Sequence, residues 1–254
     1  MMKKLRLNGE TVIVTGGGAG IGKATALALA EMGARVVIVG RTRATLDETR
    51  SEIEAADGKC EVFVADVSRE DEVNKLAAWA KSAGGSIKAI VNNAGTNFRT
   101  PLAELSTDKW REINAANLDS IFFMCRAFIP LLLKAEGSSI VNVASSFGVI
   151  GNPQMPVYCA TKGAVINLTR QLAVDYGRQG LRVNSICPGP TLSPRVRGYI
   201  EKGHTDPNAL KAQVMLGRLA DCEEIGDVAA FLVSDAASFM NGATVMVDGG
   251  QTIN

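Results

Sequence analysis

Residues 11–30 read TVIVTGGGAGIGKATALALA, which is a β-branched run, a glycine-rich turn and then a segment of helical period. Glycines in such a turn let the backbone bend tightly and approach a pyrophosphate, which side chains there would obstruct. The free N–H groups and the dipole of the following helix face the same anion. A glycine motif alone also fits an ordinary tight turn, but its place between a strand and a helix favours nucleotide binding.

The rest of the chain continues this alternation of short β-branched runs and longer segments of helical period. The predicted strands are 11–15, 35–39, 61–65, 89–91, 140–144, 182–186 and 244–247, and the predicted helices lie near 20–32, 43–56, 69–83, 107–134, 157–178 and 222–234. Strands that alternate with helices imply an α/β fold, a Rossmann-type doubly wound sheet of about seven parallel strands with helices on both faces. Neither a Pro/Ser-rich linker nor an internal repeat divides the sequence, so we expect one dinucleotide-binding and catalytic domain over 1–254.

Residues 191–218 depart from this pattern, because prolines and glycines are scattered there among apolar and basic residues. The segment follows the sixth predicted strand, at the C-terminal edge of the sheet, where open α/β folds bind ligands. We therefore expect a mobile lid that covers a substrate. The alternative is an ordinary long surface excursion.

Composition excludes several classes of protein. The 254 residues are 46% hydrophobic and 21% charged, and 27 Lys and Arg against 26 Asp and Glu give a formal charge of +1. A nucleic-acid partner is not expected without an excess of basic residues. The most apolar stretch, 121–133, is interrupted by Arg126 and Pro130 and is shorter than the ~20 residues that cross a bilayer. No membrane span is expected, and a cytoplasmic location is the default because the basic N-terminus has no apolar segment after it.

The cysteine and histidine content excludes some kinds of metal and catalytic site. Five cysteines are widely spaced without a C-x-x-C pair, so we interpret them as reduced and mostly buried. His204 is the only histidine. A His-rich metal centre and a Ser-His-Asp triad with another histidine are therefore excluded, and no metal ligands are predicted.

The spacing Gly16-x-x-x-Gly20-x-Gly22, with Asn92-Asn93-Ala94-Gly95 after the fourth strand, resembles the short-chain dehydrogenase/reductase family. The resemblance covers nearly the whole chain. It continues through Asp66-Val67, Asn117, Ser145, the run from Tyr158 to Lys162, Pro188-Gly189 and the terminal Val247-Asp248-Gly249-Gly250. Among family members, the chain is similar to 3-oxoacyl-carrier-protein reductases and to sugar and polyol dehydrogenases. The resemblance implies an NAD(P)-dependent alcohol/ketone oxidoreductase.

The resemblance also implies a cofactor site. By this resemblance, Asp66 contacts the adenine amino group of the cofactor. The alternative is that Asp66 is a plain turn residue. Asn92 is implied to support the cofactor loop. The implied cofactor-binding residues are Gly16, Gly18, Gly20, Ile21, Gly22, Arg41, Asp66, Val67, Asn93, Ala94, Gly95, Tyr158, Lys162, Pro188 and Gly189.

Tyr158 and Lys162 are four residues apart in a helical segment, so both side chains project from one face. An adjacent ammonium favours the tyrosinate, so it lowers the phenol pKa from near 10 towards the neutral pH at which the group would act as a base. The resemblance makes Tyr158 the general acid in reduction and the base in oxidation, with Lys162 lowering its pKa and holding the nicotinamide ribose. It makes Ser145 the hydroxyl that orients the substrate, with Ser146 as its rival. It also implies that Asn117 holds a proton-relaying water, the alternative being a hydrogen bond within its helix.

The end of the second strand bears on the choice of cofactor. An NAD-preferring enzyme normally places an acid there, but Val39-Gly40-Arg41-Thr42-Arg43 has none before Asp47. The guanidinium of Arg41 suits a 2′-phosphate, so NADP(H) is favoured and NAD(H) stays possible. Alternatively, Arg41 is a solvated residue that opens the next helix.

Several alternatives stay open. One is a non-catalytic nucleotide sensor on the same fold. Such a protein would lack some of the candidate catalytic residues, all of which are present in this sequence. Besides a small carbonyl or alcohol substrate, a 3-oxoacyl thioester is possible, although Glu136 in the turn before the fifth strand counts mildly against an acidic carrier protein. The resemblance also implies a homotetramer formed through helices 107–134 and 157–178. The small and apolar residues of these helices fit a subunit interface, but they fit the core of a single chain equally well.

Overall fold

The computed structural model describes residues 2–83 and 86–253. For Met2 and Lys3 it describes the backbone only. Its seven strands pair in parallel in the order β3-β2-β1-β4-β5-β6-β7. The strands are β1 Thr11–Thr15, β2 Arg35–Gly40, β3 Lys59–Val64, β4 Ile87–Asn92, β5 Ser139–Val143, β6 Arg182–Pro188 and β7 Thr244–Val247. The predicted parallel sheet is confirmed.

Nine α-helices connect the strands of the described chain or follow them. They are α1 Gly20–Glu31, α2 Arg43–Ala55, α3 Glu70–Ser82, α4 Thr107–Asn114, α5 Ser120–Leu132, α6 Pro156–Tyr176, α7 Pro194–Glu201, α8 Pro207–Lys211 and α9 Cys222–Val233. The single helix predicted over 107–134 is two helices, because a π-helical turn over Ala115–Asp119 separates α4 from α5.

The core lies on both faces of the sheet. Phe128 of α5 and Val165 of α6 are fully buried in the cluster on one face. Leu29 of α1 and Ile225 of α9 are fully buried in the cluster on the other. Strands covered on both faces are expected to be apolar throughout rather than alternating, which is how the central strands read.

One helical stretch, Thr107–Leu132, is long and apolar enough to cross a membrane by length and composition. Its residues Ile121, Met124, Phe128 and Leu132 are buried against the sheet, as in the core helix of a soluble protein.

Residues 191–218 leave the sheet after β6 and contain the short helices α7 and α8. The two ends of the segment meet, because Leu192 N–H donates to Ala220 O at 2.8 Å and Ala220 N–H donates to Pro190 O at 3.0 Å. The segment is therefore a flap anchored at one base, and below we call residues 191–218 the flap.

Candidate active site

The site lies where the strand order reverses. β1 and β4 are neighbours in the sheet although two strands separate them in the chain, and ligands of open α/β sheets bind beyond the carboxyl ends at such a point. A cavity of about 720 Å³ opens there. The predicted site residues that line it are Gly16, Gly20, Ile21, Asn93, Ala94, Gly95, Ser145, Tyr158, Lys162, Pro188 and Gly189.

The glycine loop is packed too tightly for side chains at its ends. Gly16 and Gly20 have φ values of +69° and +55°, which L-residues rarely adopt. A Cβ on Gly22 would collide with Gly16 O and with the amide of Asn93. Helix α1 begins here without a side-chain cap in the described structure, and its first residues, Gly20 and Ile21, line the cavity. This cradle fits a pyrophosphate.

Asn93, rather than Asn92, supports the loop. Asn93 Nδ2 donates to Thr15 O at 2.9 Å, and the Oγ1 of Thr15 accepts the N–H groups of Asn93 and Ala94, both at 3.0 Å. Asn92 turns into the core, where its Nδ2 donates to Asn142 Oδ1 at 2.8 Å. The prediction for Asn92 is wrong because successive strand residues point to opposite faces.

Four of the predicted cofactor residues besides Gly22 lie outside the cavity wall. A Cβ on Gly18 would come within 2.7 Å of Thr45 Oγ1 on α2. Arg41 is solvent-exposed, with Nη1 3.9 Å from Asp66 Oδ2. Asp66 Oδ1 accepts the N–H of Ser68 at 3.0 Å, the bond expected of a turn residue, while Val67 is buried. Gly18 thus packs against α2, and Arg41 lies beside Asp66 outside the cavity wall.

The catalytic candidates meet in one corner of the cavity. Ser145 lies two residues after the end of β5, and its Oγ accepts the N–H of Phe147 at 3.2 Å. Tyr158 and Lys162 lie one turn apart on α6, with Lys162 Nζ 5.8 Å from the centre of the tyrosine ring. Lys162 is 4% exposed, and its Nζ donates to Val143 O at 2.7 Å.

Burial dominates the electrostatics of this corner. It raises the pKa of Tyr158, and a hydrogen bond with Ser145 and the positive charge of Arg195 act in the opposite direction. Burial also lowers the pKa of Lys162 to about 8. The positive charge of Arg195 favours the tyrosinate, while the ammonium of Lys162 donates to a backbone carbonyl. The expected effect of Lys162 on the pKa of Tyr158 stays a prediction.

Asn117 lies in the π-helical turn, fully buried beside the catalytic corner. Its Oδ1 accepts the N–H of Thr96 and its Nδ2 donates to Thr96 O, both at 2.8 Å. Nδ2 also lies 3.3 Å from the hydroxyl of Thr161, in the turn of α6 before Lys162. The side chain therefore clamps the loop after β4 onto α6 instead of bonding within its own helix.

The two serines differ in their partners. Ser145 Oγ accepts the N–H of Phe147 and acts to lower the pKa of Tyr158, whereas the buried Oγ of Ser146 has no partner among the described residues. This difference favours Ser145 as the hydroxyl that acts on a substrate.

Sequence reasoning missed three residues of the site. Thr15, which holds the Asn93 loop, reads as an ordinary strand residue, because β-branched residues are common in strands. Arg99 and Arg195 line the cavity, the latter from α7, with its guanidinium 3.2 Å from Gly95 O. No local pattern marks either arginine, since only the fold brings the segment after β4 and the flap together at the sheet edge. The basic character of the flap was the one available signal.

Comparison with known proteins identifies the class of this site. The family model described as Enoyl-(Acyl carrier protein) reductase matches residues 16–252. The chain is 37% identical over 248 residues to meso-2,3-butanediol dehydrogenase of Serratia marcescens, covering 98% of this chain and 96% of that one. It is 32% identical over 249 residues to a 3-oxoacyl-(acyl-carrier-protein) reductase of Thermotoga maritima, covering 98% and 100%.

A solved structure gives the same result. A crystal structure described as an NAD(P)-dependent gluconate 5-dehydrogenase from Beutenbergia cavernae, with NADP bound at low occupancy, superposes with a TM-score of 0.91 at 34% identity. It covers 99% of this chain and 100% of that one. Fold and site thus define an oxidoreductase with a dinucleotide-binding sheet. The chain belongs to the short-chain dehydrogenase/reductase family.

Proposed function

We propose that this enzyme catalyses hydride exchange between a nicotinamide cofactor and the carbonyl or secondary alcohol of a small substrate. The observation that carries the proposal is the convergence of Ser145, Tyr158 and Lys162 beside the glycine loop, in one cavity. When bound, the nicotinamide supplies the redox chemistry.

The side chains of the chain supply binding and proton transfer. The Ser145 and Tyr158 hydroxyls donate hydrogen bonds to the substrate oxygen. Because burial raises the pKa of Tyr158, its phenol is protonated at neutral pH and ready to donate a proton in the reduction direction. In oxidation it accepts that proton, assisted by the charge of Arg195. Lys162 binds the ribose hydroxyls, and Asn117 holds the loop that faces it.

Tyr158→Phe tests this proposal, because it removes the proton donor and little else. We expect kcat to fall by about 10² to 10⁴, the usual contribution of general acid–base catalysis, with cofactor affinity retained. Steady-state kinetics with butane-2,3-diol, simple ketones and acetoacetyl thioesters would measure the first effect, and nicotinamide fluorescence the second. Near-normal turnover by the variant contradicts the assignment, and thioester turnover alone favours the alternative substrate.

We further propose that NADP(H) is preferred. Arg41 is 76% exposed and only loosely paired with Asp66, so its guanidinium is available to a 2′-phosphate. The structural neighbour that carries NADP supports this choice. Arg41→Ala should raise the KM for NADP(H) about 10-fold or more while leaving that for NAD(H) nearly unchanged. Arg43→Ala is the matched control, since Asp47 Oδ2 already holds Arg43 Nε at 2.6 Å. Unchanged discrimination in Arg41→Ala contradicts the proposal.

We propose a homotetramer in the cytoplasm, formed through α4, α5 and α6. Apolar side chains exposed on these helices, among them Trp110, Phe122 and Val174, support such an interface. Sedimentation should give about four times the mass of one chain, and Phe122→Glu should lower it. A monomeric wild-type enzyme contradicts this arrangement.

A further inference from the structure

The charged groups of the cavity are of one sign. Arg99, Lys162 and Arg195 line it, and no Asp or Glu lies among the described residues that form its wall. Lys162 is buried at the catalytic corner, so the two arginines are the charged groups left to face a substrate.

Neither cavity arginine is neutralised by the protein. No carboxylate of the described chain lies within 4.0 Å of Arg99 or Arg195, although ion pairs hold many other arginines, such as Arg43 with Asp47 and Arg218 with Glu224. The recorded hydrogen bond of the Arg195 side chain is to a backbone oxygen, Gly95 O at 3.2 Å. A guanidinium held by one carbonyl keeps several N–H donors for a ligand.

Arg195 lies close to the reaction centre. Its charge acts on both Tyr158 and Lys162, and Gly95, which it contacts, adjoins Lys162: a Cβ built on Gly95 would lie 3.7 Å from Lys162 Nζ. A group bound to Arg195 therefore lies next to the atoms that react. Because Arg195 stands on α7 of the flap, binding of that group also holds the flap against the sheet edge.

We propose that the physiological substrate is an anion, a hydroxy or oxo acid whose carboxylate is bound by Arg195, with Arg99 as a second cation. This inference rests on the proposed function and names the substrate class of the same site. The planar guanidinium offers a carboxylate two parallel hydrogen bonds, which fixes the orientation of the reacting carbon as well as adding affinity.

The test compares substrates that differ only in charge. Acetoacetate is paired with methyl acetoacetate, and 4-oxopentanoate with its methyl ester, each measured with wild type, Arg195→Gln and Arg197→Gln. Arg197 lies on the same helix but does not line the cavity, so it controls for the loss of one surface charge. Cofactor affinity is measured separately by nicotinamide fluorescence.

We expect wild-type kcat/KM to be at least 10-fold higher for an acid than for its ester. Arg195→Gln should remove most of this difference, because kcat/KM for the acids falls much further than that for the esters, which lose only the effect of this charge on Tyr158. Arg197→Gln should behave like wild type. Equal or better use of the esters by wild type overturns the inference while leaving the proposed function intact. Equal losses for both substrates with weakened cofactor binding also overturn it, since Arg195 then serves the cofactor. Absence of turnover with any ketone and either nicotinamide refutes the proposed function itself.

Discussion

Lys162→Met is expected to change the pH dependence of stability while removing catalysis. Lys162 is buried with one carbonyl partner, and burial lowers its pKa from 10.5 to about 8. The folded state therefore releases the proton that the unfolded chain keeps between pH 8 and 10.5. The free energy of unfolding of the wild type consequently rises with pH across this window, and below pH 8 the full cost of the buried ammonium is present.

The magnitude follows from the two pKa values. At pH 7 the cost is about 3 kcal/mol, and at pH 9.5 it falls to about 1 kcal/mol, taking 1.36 kcal/mol for each tenfold change in proton affinity. Methionine has a similar volume and does not titrate. It also removes the donor to Val143 O, but that loss is the same at both pH values and cancels in the comparison. The stability of the variant relative to wild type should therefore fall by about 2 kcal/mol from pH 7 to pH 9.5.

Urea unfolding at the two pH values, followed by tryptophan fluorescence, measures this difference. Protein concentration is held constant, because the stability of an oligomer depends on it. Lys202→Met, on the surface of the flap, controls for the loss of one positive charge. If Lys162→Met and wild type keep the same stability difference at both pH values, the ammonium is not destabilised by burial and the reasoning fails.

Three further outcomes are expected. Ser145→Ala should lower kcat more than Ser146→Ala, because Ser145 acts on the pKa of Tyr158 whereas Ser146 is fully buried, and the reverse ranking in steady-state kinetics would move the catalytic hydroxyl by one residue. Limited proteolysis should cut first within 192–216, and cofactor plus substrate should slow the cleavage, whereas equal rates would indicate a rigid excursion. Gly22→Ala should abolish cofactor binding by fluorescence titration, because its Cβ meets Gly16 O. Gly151→Ala, which has open space around the Cβ, should bind normally, and binding by both variants would contradict the tight loop.

The sequence predicted the sheet and the nucleotide-binding edge because both depend on local signals. Periodicity locates the strands, and glycines reveal where the backbone approaches itself or a ligand. β4 was predicted too short because Lys88 interrupts its apolar run. In the fold, that ammonium is buried and its Nζ lies 3.0 Å from Asp235 Oδ1 and 3.5 Å from Glu10 Oε1. A partner 147 positions away cannot be inferred from periodicity.

The long helix predicted over 107–134 illustrates a second limit. Helical period continues through Asn117, so the pattern gives no sign of the π-helical turn. The turn forms where the Asn117 amide pairs with both backbone groups of Thr96, 21 residues earlier, and reaches Thr161 on α6. π-helical turns within helices are often found at functional sites, where a side chain must be redirected.

The ionisable groups of the site lie in two places, the buried catalytic corner and the flap. The rigid corner contains Tyr158 and Lys162, whose burial disfavours the charged form of both. The cation that offsets this for Tyr158 stands on the flap, at Arg195. Opening of the flap would withdraw that charge, and the phenol would then be a weaker acid in an incomplete site. Anion binding to Arg195 would hold the flap closed but also neutralise part of its charge. The substrate would thus assemble the catalytic corner by holding Arg195 beside Tyr158, at the cost of part of the charge that makes the phenol a stronger acid.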